Sequence, residues 1–277
     1  MRAVLVTGSS TGIGAEVSSL LAQKGFTVFA GVRNEGDAHR LGQSGNDIRP
    51  LYLDVTDERS ITEALERIRL SGMPLYGLVN NAGIAVGGPL EYLGVDDVRK
   101  QFDVNVFGVL AVTQAALPLL RDTRGRIVVV GSIGGRLAAP FIGPYGASKA
   151  AVAALTDSLR QELSGSGVAV SLFEFAAVKT PIWAKGRTLK DQLAARLPAA
   201  ALERYGTVID AIGRQIDREE CSGMKPAIIA NKIYEALTVQ RPRERYLIGR
   251  HARAQSIVAL LPTRVRDRLI RRVMRIP

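Results

Sequence analysis

Tyr145 and Lys149 stand four residues apart in the segment YGASK, and Ser132 closes the run RIVVVGS thirteen positions earlier. At the start of a helix this spacing puts the first two side chains on one face, about 5–6 Å apart at Cβ. A phenol with a reference pKa of about 10 trades protons poorly at neutral pH, and a neighbouring ammonium favours the phenolate. The pair therefore suits general acid/base work, with Lys149 expected to draw the Tyr145 pKa down. A hydroxyl at the carboxyl edge of a strand, such as that of Ser132, can hold a carbonyl oxygen. Taken singly, Tyr145 also reads as a half-buried aromatic, Lys149 as a solvated helix charge and Ser132 as a turn or capping residue.

A second constellation opens the chain. The apolar run AVLVT (3–7) is followed by TGSSTGIG (7–14) and then by the helical stretch AEVSSLLAQ. Gly8, Gly12 and Gly14 in a strand-to-helix turn let the backbone pass close to a pyrophosphate, whose charge is stabilised by the free N–H groups of the helix start. The turn residues Gly8, Ser10, Thr11, Gly12, Ile13 and Gly14 are the candidate phosphate cradle, a merely tight turn being the plain alternative.

These groups need a frame to bring them together. Further apolar runs lie at 26–31, 48–55, 75–83, 126–132 and 168–175, with helical candidates at 12–24, 57–70, 96–116 and 145–164. Alternation of this kind means parallel strands joined by crossover helices, and continuous runs mean a sheet covered on both faces. The expected fold class is α/β, a doubly wound (Rossmann) parallel sheet of about seven strands. In the last helix Val152, Leu155, Leu159 and Leu163 recur as one buried stripe. Residues 181–222 carry no strand-like run and read as a helical lid insertion, 226–238 as a further helix and RYLIG (245–249) as a last short strand. No repeat or linker divides the chain, so 1–277 is read as a single domain, ending in a basic tail over 250–277.

Composition narrows the chemistry. The 277 residues hold 37 basic and 26 acidic side chains, one cysteine and two histidines. Cys221 alone makes no intramolecular disulfide, and His39 and His251 lack partners at zinc-site spacing, so no metal is expected. The start of the chain leaves no room for a cleavable signal ahead of its first strand, and no run of about 18 consecutive apolar residues occurs, so a cytoplasmic location is expected. From residue 250 onward there are eight arginines and one acid, Asp267. Val265, Leu269, Val273 and Ile276 share one helical face, and Arg264, Arg268, Arg271 and Arg275 form a basic one. That pattern suits an anionic membrane surface, or a terminal helix packed on its own domain. The tail has no aromatic residue to stack on bases, which speaks against nucleic acid.

The order TGSSTGIG, LDVTD (53–57), NNAG (80–83), Ser132, then Tyr145 with Lys149, resembles the short-chain dehydrogenase/reductase family. The resemblance implies that Tyr145 is the general acid/base, that Lys149 holds the nicotinamide ribose and tunes Tyr145, and that Ser132 polarises the substrate carbonyl. Asn105 in VNVFG matches the family asparagine that supports a proton-relay water, although unaided it reads as a mid-helix polar residue. Asp54, with Val55 beside it, matches the contact to the adenine, Asn80, Asn81, Ala82 and Gly83 the segment lining the adenine ribose, and Val178 and Thr180 the carboxamide contacts. At the end of the second strand Val32 occupies the slot of a 2′-hydroxyl-binding acid and Arg33 follows it, which points to NADP(H). Glu35 and Asp37 keep NAD(H) open, and Arg33 also reads as a surface charge. The family's Pro-Gly after strand six is replaced by Phe175-Ala176, where a bulky ring could narrow the space over the nicotinamide. TPIW and RPRERYLIG look like the branch of hydroxysteroid and retinol dehydrogenases, implying a hydrophobic substrate. Relatives pair through the helices bearing Asn105 and Tyr145, implying a homodimer or homotetramer. The alternative is a cofactor-binding regulatory or membrane-surface protein that has lost catalysis.

Overall fold

Apolar residues dominate the runs that become strands, and side chains on both faces of those runs find helices to cover them. The computed structural model describes residues 2–43 and 45–274. Its strands are β1 (Ala3–Val6), β2 (Thr27–Val32), β3 (Ile48–Tyr52), β4 (Leu75–Asn80), β5 (Arg126–Val130), β6 (Ala169–Phe175) and β7 (Arg245–Ile248). All pair in parallel, in the order β3-β2-β1-β4-β5-β6-β7. The chain winds outward from β1 to β3 and then restarts on the other side of β1 with β4, which opens a crevice at the carboxyl ends of the strands.

Helices α1 (Gly12–Gln23), α2 (Glu35–Gly42), α3 (Glu58–Leu70), α4 (Val95–Phe102), α5 (Gly108–Asp122) and α6 (Gly143–Glu162) are followed, after β6, by α7 (Ile182–Arg196) and α8 (Ala199–Ser222). The last three are α9 (Pro226–Thr238), α10 (Arg250–Val258) and α11 (Thr263–Met274). Successive strand residues point to opposite faces. Leu5, Leu78, Ile127 and Leu172 pack against Ile61, Leu65, Val112, Leu120 and Val152 of α3, α5 and α6. Val4, Val6, Val128 and Phe173 pack against Val17, Leu21, Ile229 and Ile233 of α1 and α9.

Several expectations change. α2 has no apolar period to read, because none of its residues is buried; it is set by Asn34, whose side chain accepts the N–H of Asp37. Glu35 and Asp37 thus sit on a helix rather than in a loop. Strand four ends at Asn80 instead of running to 83. The helix expected over 96–116 is three pieces: α4, a π-helical turn (Asp103–Phe107) and α5, which continues to Asp122. Val95–Asp122 is long and apolar enough to cross a membrane by length and composition, yet Val104, Val112, Ala116 and Leu120 in it are core residues of the sheet layer.

The stripe on α6 is also corrected. Val152 and Leu163 are buried, whereas Leu155 is 39% exposed. Thr156 takes the buried place instead, its hydroxyl satisfied by the carbonyl of Val152 at 2.6 Å. The tail forms two helices, and Arg275 and Ile276 lie outside the described residues.

Candidate active site

β5 delivers Ser132 to the mouth of the crevice, where it starts a single 3₁₀ turn (Ile133–Gly135) and its Oγ accepts the N–H of Gly134 at 3.1 Å. This turn rests on α6: a Cβ on Gly135 would lie 2.7 Å from the Lys149 carbonyl carbon, so only glycine permits the approach. Tyr145, half-buried on the first turn of α6, faces the Ser132 turn: a Cβ on Gly134 would lie 3.3 Å from Ser132 Oγ and 3.5 Å from Tyr145 Cε1. Lys149, one turn on, is buried with its Nζ 5.9 Å from the Tyr145 ring centre and donating to the carbonyl of Val130 at 2.8 Å.

The electrostatics depart from the expectation that Lys149 lowers the Tyr145 pKa. Burial pushes the phenol above its usual 10, and only the nearby Ser132 hydroxyl opposes it. Burial also draws the Lys149 ammonium from 10.5 down to about 8. Removal from water disfavours each charged form, and no anion here restores either. The three side chains are nevertheless brought together.

Asn105 occupies the π turn between α4 and α5 and is buried. Its Oδ1 accepts the N–H of Ile84 at 2.9 Å, while its Nδ2 donates to the carbonyl of Ile84 at 3.0 Å and to Ser148 Oγ at 3.1 Å. Ser148 in turn donates to the carbonyl of Tyr145 at 2.8 Å. The amide therefore clamps the strand-four loop to the α6 turn that carries Tyr145, rather than satisfying its own helix. Gln101, unforeseen from sequence, repeats the device by accepting from Val86 N and donating to Ile84 O, both at 2.6 Å.

The glycine turn is equally tied down. Gly8 and Gly12 have φ of +66° and +60°, which a side chain would strain. A Cβ on Gly14 would overlap the Gly8 carbonyl and sit 2.5 Å from Asn81 Nδ2. Asn81 donates that Nδ2 to the carbonyls of Thr7 and Gly8, both at 3.0 Å, so its side chain braces the turn. Thr7 Oγ1 accepts the N–H groups of Asn81 and Ala82 at 3.0 and 2.9 Å. Sequence reasoning passed over Thr7, though it immediately precedes the first glycine. Thr11, the N-cap of α1, makes no side-chain cap bond. An uncapped helix start behind a turn with no room for side chains fits a pyrophosphate.

Around this cradle, Ser10 offers its carbonyl to Arg40 Nη2 of α2 at 2.6 Å, and Arg40 also pairs with Asp37 at 2.5 Å. Asp37 further accepts from Asn34 Nδ2 at 2.7 Å, so its carboxylate is engaged within α2. Arg33 is exposed at the end of β2. Asp54 bends into its own turn, Oδ1 accepting from Thr56 N and Oγ1 at 2.9 and 2.8 Å. Val55 is buried, with Gly108 packed closely on it. Ile13 packs on the α1–α9 side of the core and Gly83 lies beside Asn105. Across the crevice, the Thr180 side chain would lie 3.1 Å from a Cβ on Gly12, so the chain leaving β6 closes over the turn. Val178 is buried, its carbonyl held by Trp183 Nε1 at 2.8 Å. Phe175 is buried in the α1–α9 side of the core, extending the strand face of Phe173.

Glu174 signals itself in the sequence as a lone acid in a buried strand. It is 1% exposed and held by Arg136 Nε at 2.7 Å, by Arg136 Nη2, and by Arg245 Nη1 at 3.2 Å. Arg136 ends the turn that starts at Ser132, and Arg245 also pairs with Asp157 of α6. The brace joins the Ser132 turn to β6, β7 and α6.

Above the crevice, α7 and α8 are joined by Arg187 and Glu220. Leu197, Ala201 and Ile209 pack with Tyr92, Phe141 and Tyr205. Glu91 accepts from Tyr205 Oη at 2.6 Å and pairs with Arg204 at 2.8 Å, and the Tyr205 hydrogen bond holds its carboxyl below the usual range.

The chain is similar to known proteins in sequence and in fold. The profile described as short chain dehydrogenase matches residues 2–191. The chain is 33% identical to the NADPH-dependent 3-dehydrocapnine reductase of Ornithobacterium rhinotracheale, over 97% of this chain and 96% of that protein. It is 35% identical to retinol dehydrogenase 5 of Mus musculus (96% and 87%) and 34% identical to 17-beta-hydroxysteroid dehydrogenase type 6 of Bos taurus (97% and 87%). A crystal structure of a short-chain dehydrogenase from Streptomyces avermitilis superposes with a TM-score of 0.78 at 25% identity, over 99% of this chain and 97% of that one. The protein therefore belongs to the short-chain dehydrogenase family, on its retinol- and hydroxysteroid-dehydrogenase-like side.

Proposed function

We propose that this enzyme, one domain with a helical lid, moves hydride between NADP(H) and a carbonyl or secondary alcohol of a hydrophobic small molecule. The observation that carries the reading is the meeting of Ser132 and Tyr145 at Gly134, past the end of β5, with Lys149 buried one helical turn behind Tyr145. The nicotinamide, when bound, supplies or accepts the hydride. In reduction Ser132 holds the carbonyl oxygen and Tyr145 Oη gives it a proton, while the Lys149 ammonium favours the phenolate left behind. Asn105 is a positioning residue, acting through Ile84 and Ser148 on the Tyr145 turn.

For the phosphates, the backbone from Gly8 to Gly14 and the start of α1 serve as the cradle, and Val178 and Thr180 line the nicotinamide end. Arg33 supports the phosphorylated cofactor, as does engagement of Asp37 by Arg40 and Asn34, which leaves that carboxylate poorly placed to take a ribose hydroxyl. The NADPH-dependent relative agrees with this choice. The aromatic cluster that Tyr205 of α8 makes with Tyr92 and Phe141, and the relatives named for retinol and hydroxysteroids, support an apolar substrate. Phe107 and Leu155, exposed on the helices through which the family resemblance implies pairing, support a homo-oligomer that covers them.

Tyr145→Phe tests the assignment. NADPH binding, followed by fluorescence titration, should persist, while NADPH consumption with hydrophobic ketones should fall at least about 10²–10⁴-fold. Retained turnover would overturn the role of Tyr145. Wild-type binding without consumption across a broad panel would favour a regulatory protein instead.

A further inference from the structure

The apolar stripe of the C-terminal helix faces away from the domain. A terminal helix packed on its own protein buries its apolar face. In α11 the opposite holds: Val265, Leu269 and Val273 are 44%, 38% and 66% exposed, and no residue of this helix is buried. The side that leans on α8 is another one, carrying the half-buried Arg266, Ile270 and Met274. Just before α11, Ile257 and Leu260 are 65% and 87% exposed and lengthen the apolar surface.

Charge surrounds that surface with one sign. Arg250 and Arg253 of α10 and Arg264, Arg268, Arg271 and Arg272 of α11 are exposed, and among the described residues none of them has an ion-pair partner. The sole acid, Asp267, is matched to Arg266 at 3.7 Å. Guanidinium groups flanking exposed aliphatic side chains match an anionic headgroup layer above an acyl layer, and long arginine stems can reach back to the headgroups while the stripe enters. An acidic protein or a nucleic acid would use the charge and leave the stripe in water, and the tail offers no aromatic ring for bases.

We propose that α10 and α11 form a docking face for an anionic lipid surface, with Val265, Leu269 and Val273 inserted at the acyl boundary and the arginines on the headgroups. Because α11 leans on α8, the lid helix, docking sets the lid beside the phase in which an apolar substrate dissolves.

The test is flotation of the full chain with vesicles of phosphatidylcholine containing about one third phosphatidylserine, against phosphatidylcholine alone. The chain should float with the anionic vesicles and detach in 0.5 M salt. Replacing Arg268, Arg271 and Arg272 together by Gln should weaken partitioning about a hundred-fold, at about five-fold per charge. Val265→Ser, Leu269→Ser and Val273→Ser together should abolish flotation with every charge retained. Turnover of a soluble ketone in vesicle-free buffer should stay unchanged in both variants, which separates this idea from the catalytic assignment. The idea is overturned by a chain that stays with the soluble fraction, by a stripe variant that floats like the wild type, or by a stripe variant whose only change is a smaller oligomer in light scattering.

Discussion

Lys149→Met removes a charge that the fold holds at a cost, and the size of that cost can be read from stability against pH. Burial lowers the lysine pKa from 10.5 to about 8 in the folded protein. Between those values the unfolded chain holds a proton that the folded chain lacks, so stability rises with pH across this window; below about 8 the deficit is complete, and above 10.5 it is gone. At 1.4 kcal/mol per tenfold change the full deficit is ~3 kcal/mol. Methionine has a similar length and helix propensity, and it titrates nowhere. It also leaves the Val130 carbonyl without its 2.8 Å partner, a loss of roughly 1–2 kcal/mol that does not depend on pH. The two contributions separate in urea denaturation of wild type and variant from pH 7 to pH 10. The variant should gain on the wild type at pH 7, and the gap should close by about 2–3 kcal/mol as the pH rises. Two parallel stability curves would refute the argument, since other titrating groups cancel in the difference. Turnover should be lost in the variant at every pH.

Gly14→Ala should lower the urea midpoint and abolish nucleotide binding together, because the new methyl meets the Gly8 carbonyl and Asn81 Nδ2; overpacking of this kind costs about 1–3 kcal/mol. An unchanged midpoint with intact NADPH titration would show that the turn can relax. Arg33→Ala should weaken NADPH about 10–100-fold, the range for a charge-assisted hydrogen bond, while NADH affinity stays level. Arg40→Ala should release Asp37 and strengthen NADH, which competitive fluorescence titration would detect.

What could be read in advance was local. The glycine turn, the Tyr145–Lys149 spacing and Ser132 at a strand end are set by neighbours within a few residues, and the strands declared themselves as continuous apolar runs. What escaped depends on partners far along the chain. Asn81 bonds the carbonyl of Thr7, Asn105 grips Ile84, and Glu174 joins Arg136 and Arg245. Spacing cannot disclose such pairings, although an acid inside β6 demanded one. The direction of the Tyr145 shift was misjudged because sequence reveals a neighbouring charge but not the depth at which both groups sit. Leu155 misled because Thr156, with its hydroxyl silenced by Val152, took the inward place.

The two ends of the segment proposed as the lid are stitched side by side. Lys179 N donates to the carbonyl of Met224 at 2.9 Å and Met224 N to the carbonyl of Ala177 at 3.0 Å, while Arg187 and Glu220 join α7 to α8. Toward the rest of the molecule the segment meets Glu91, Tyr92 and Phe141, and α8 also rests against α11. A piece tied to itself in this way is expected to move as one stiff flap rather than to melt. Were it to act as the lid, its opening on the microsecond-to-millisecond scale would set the ceiling on product release.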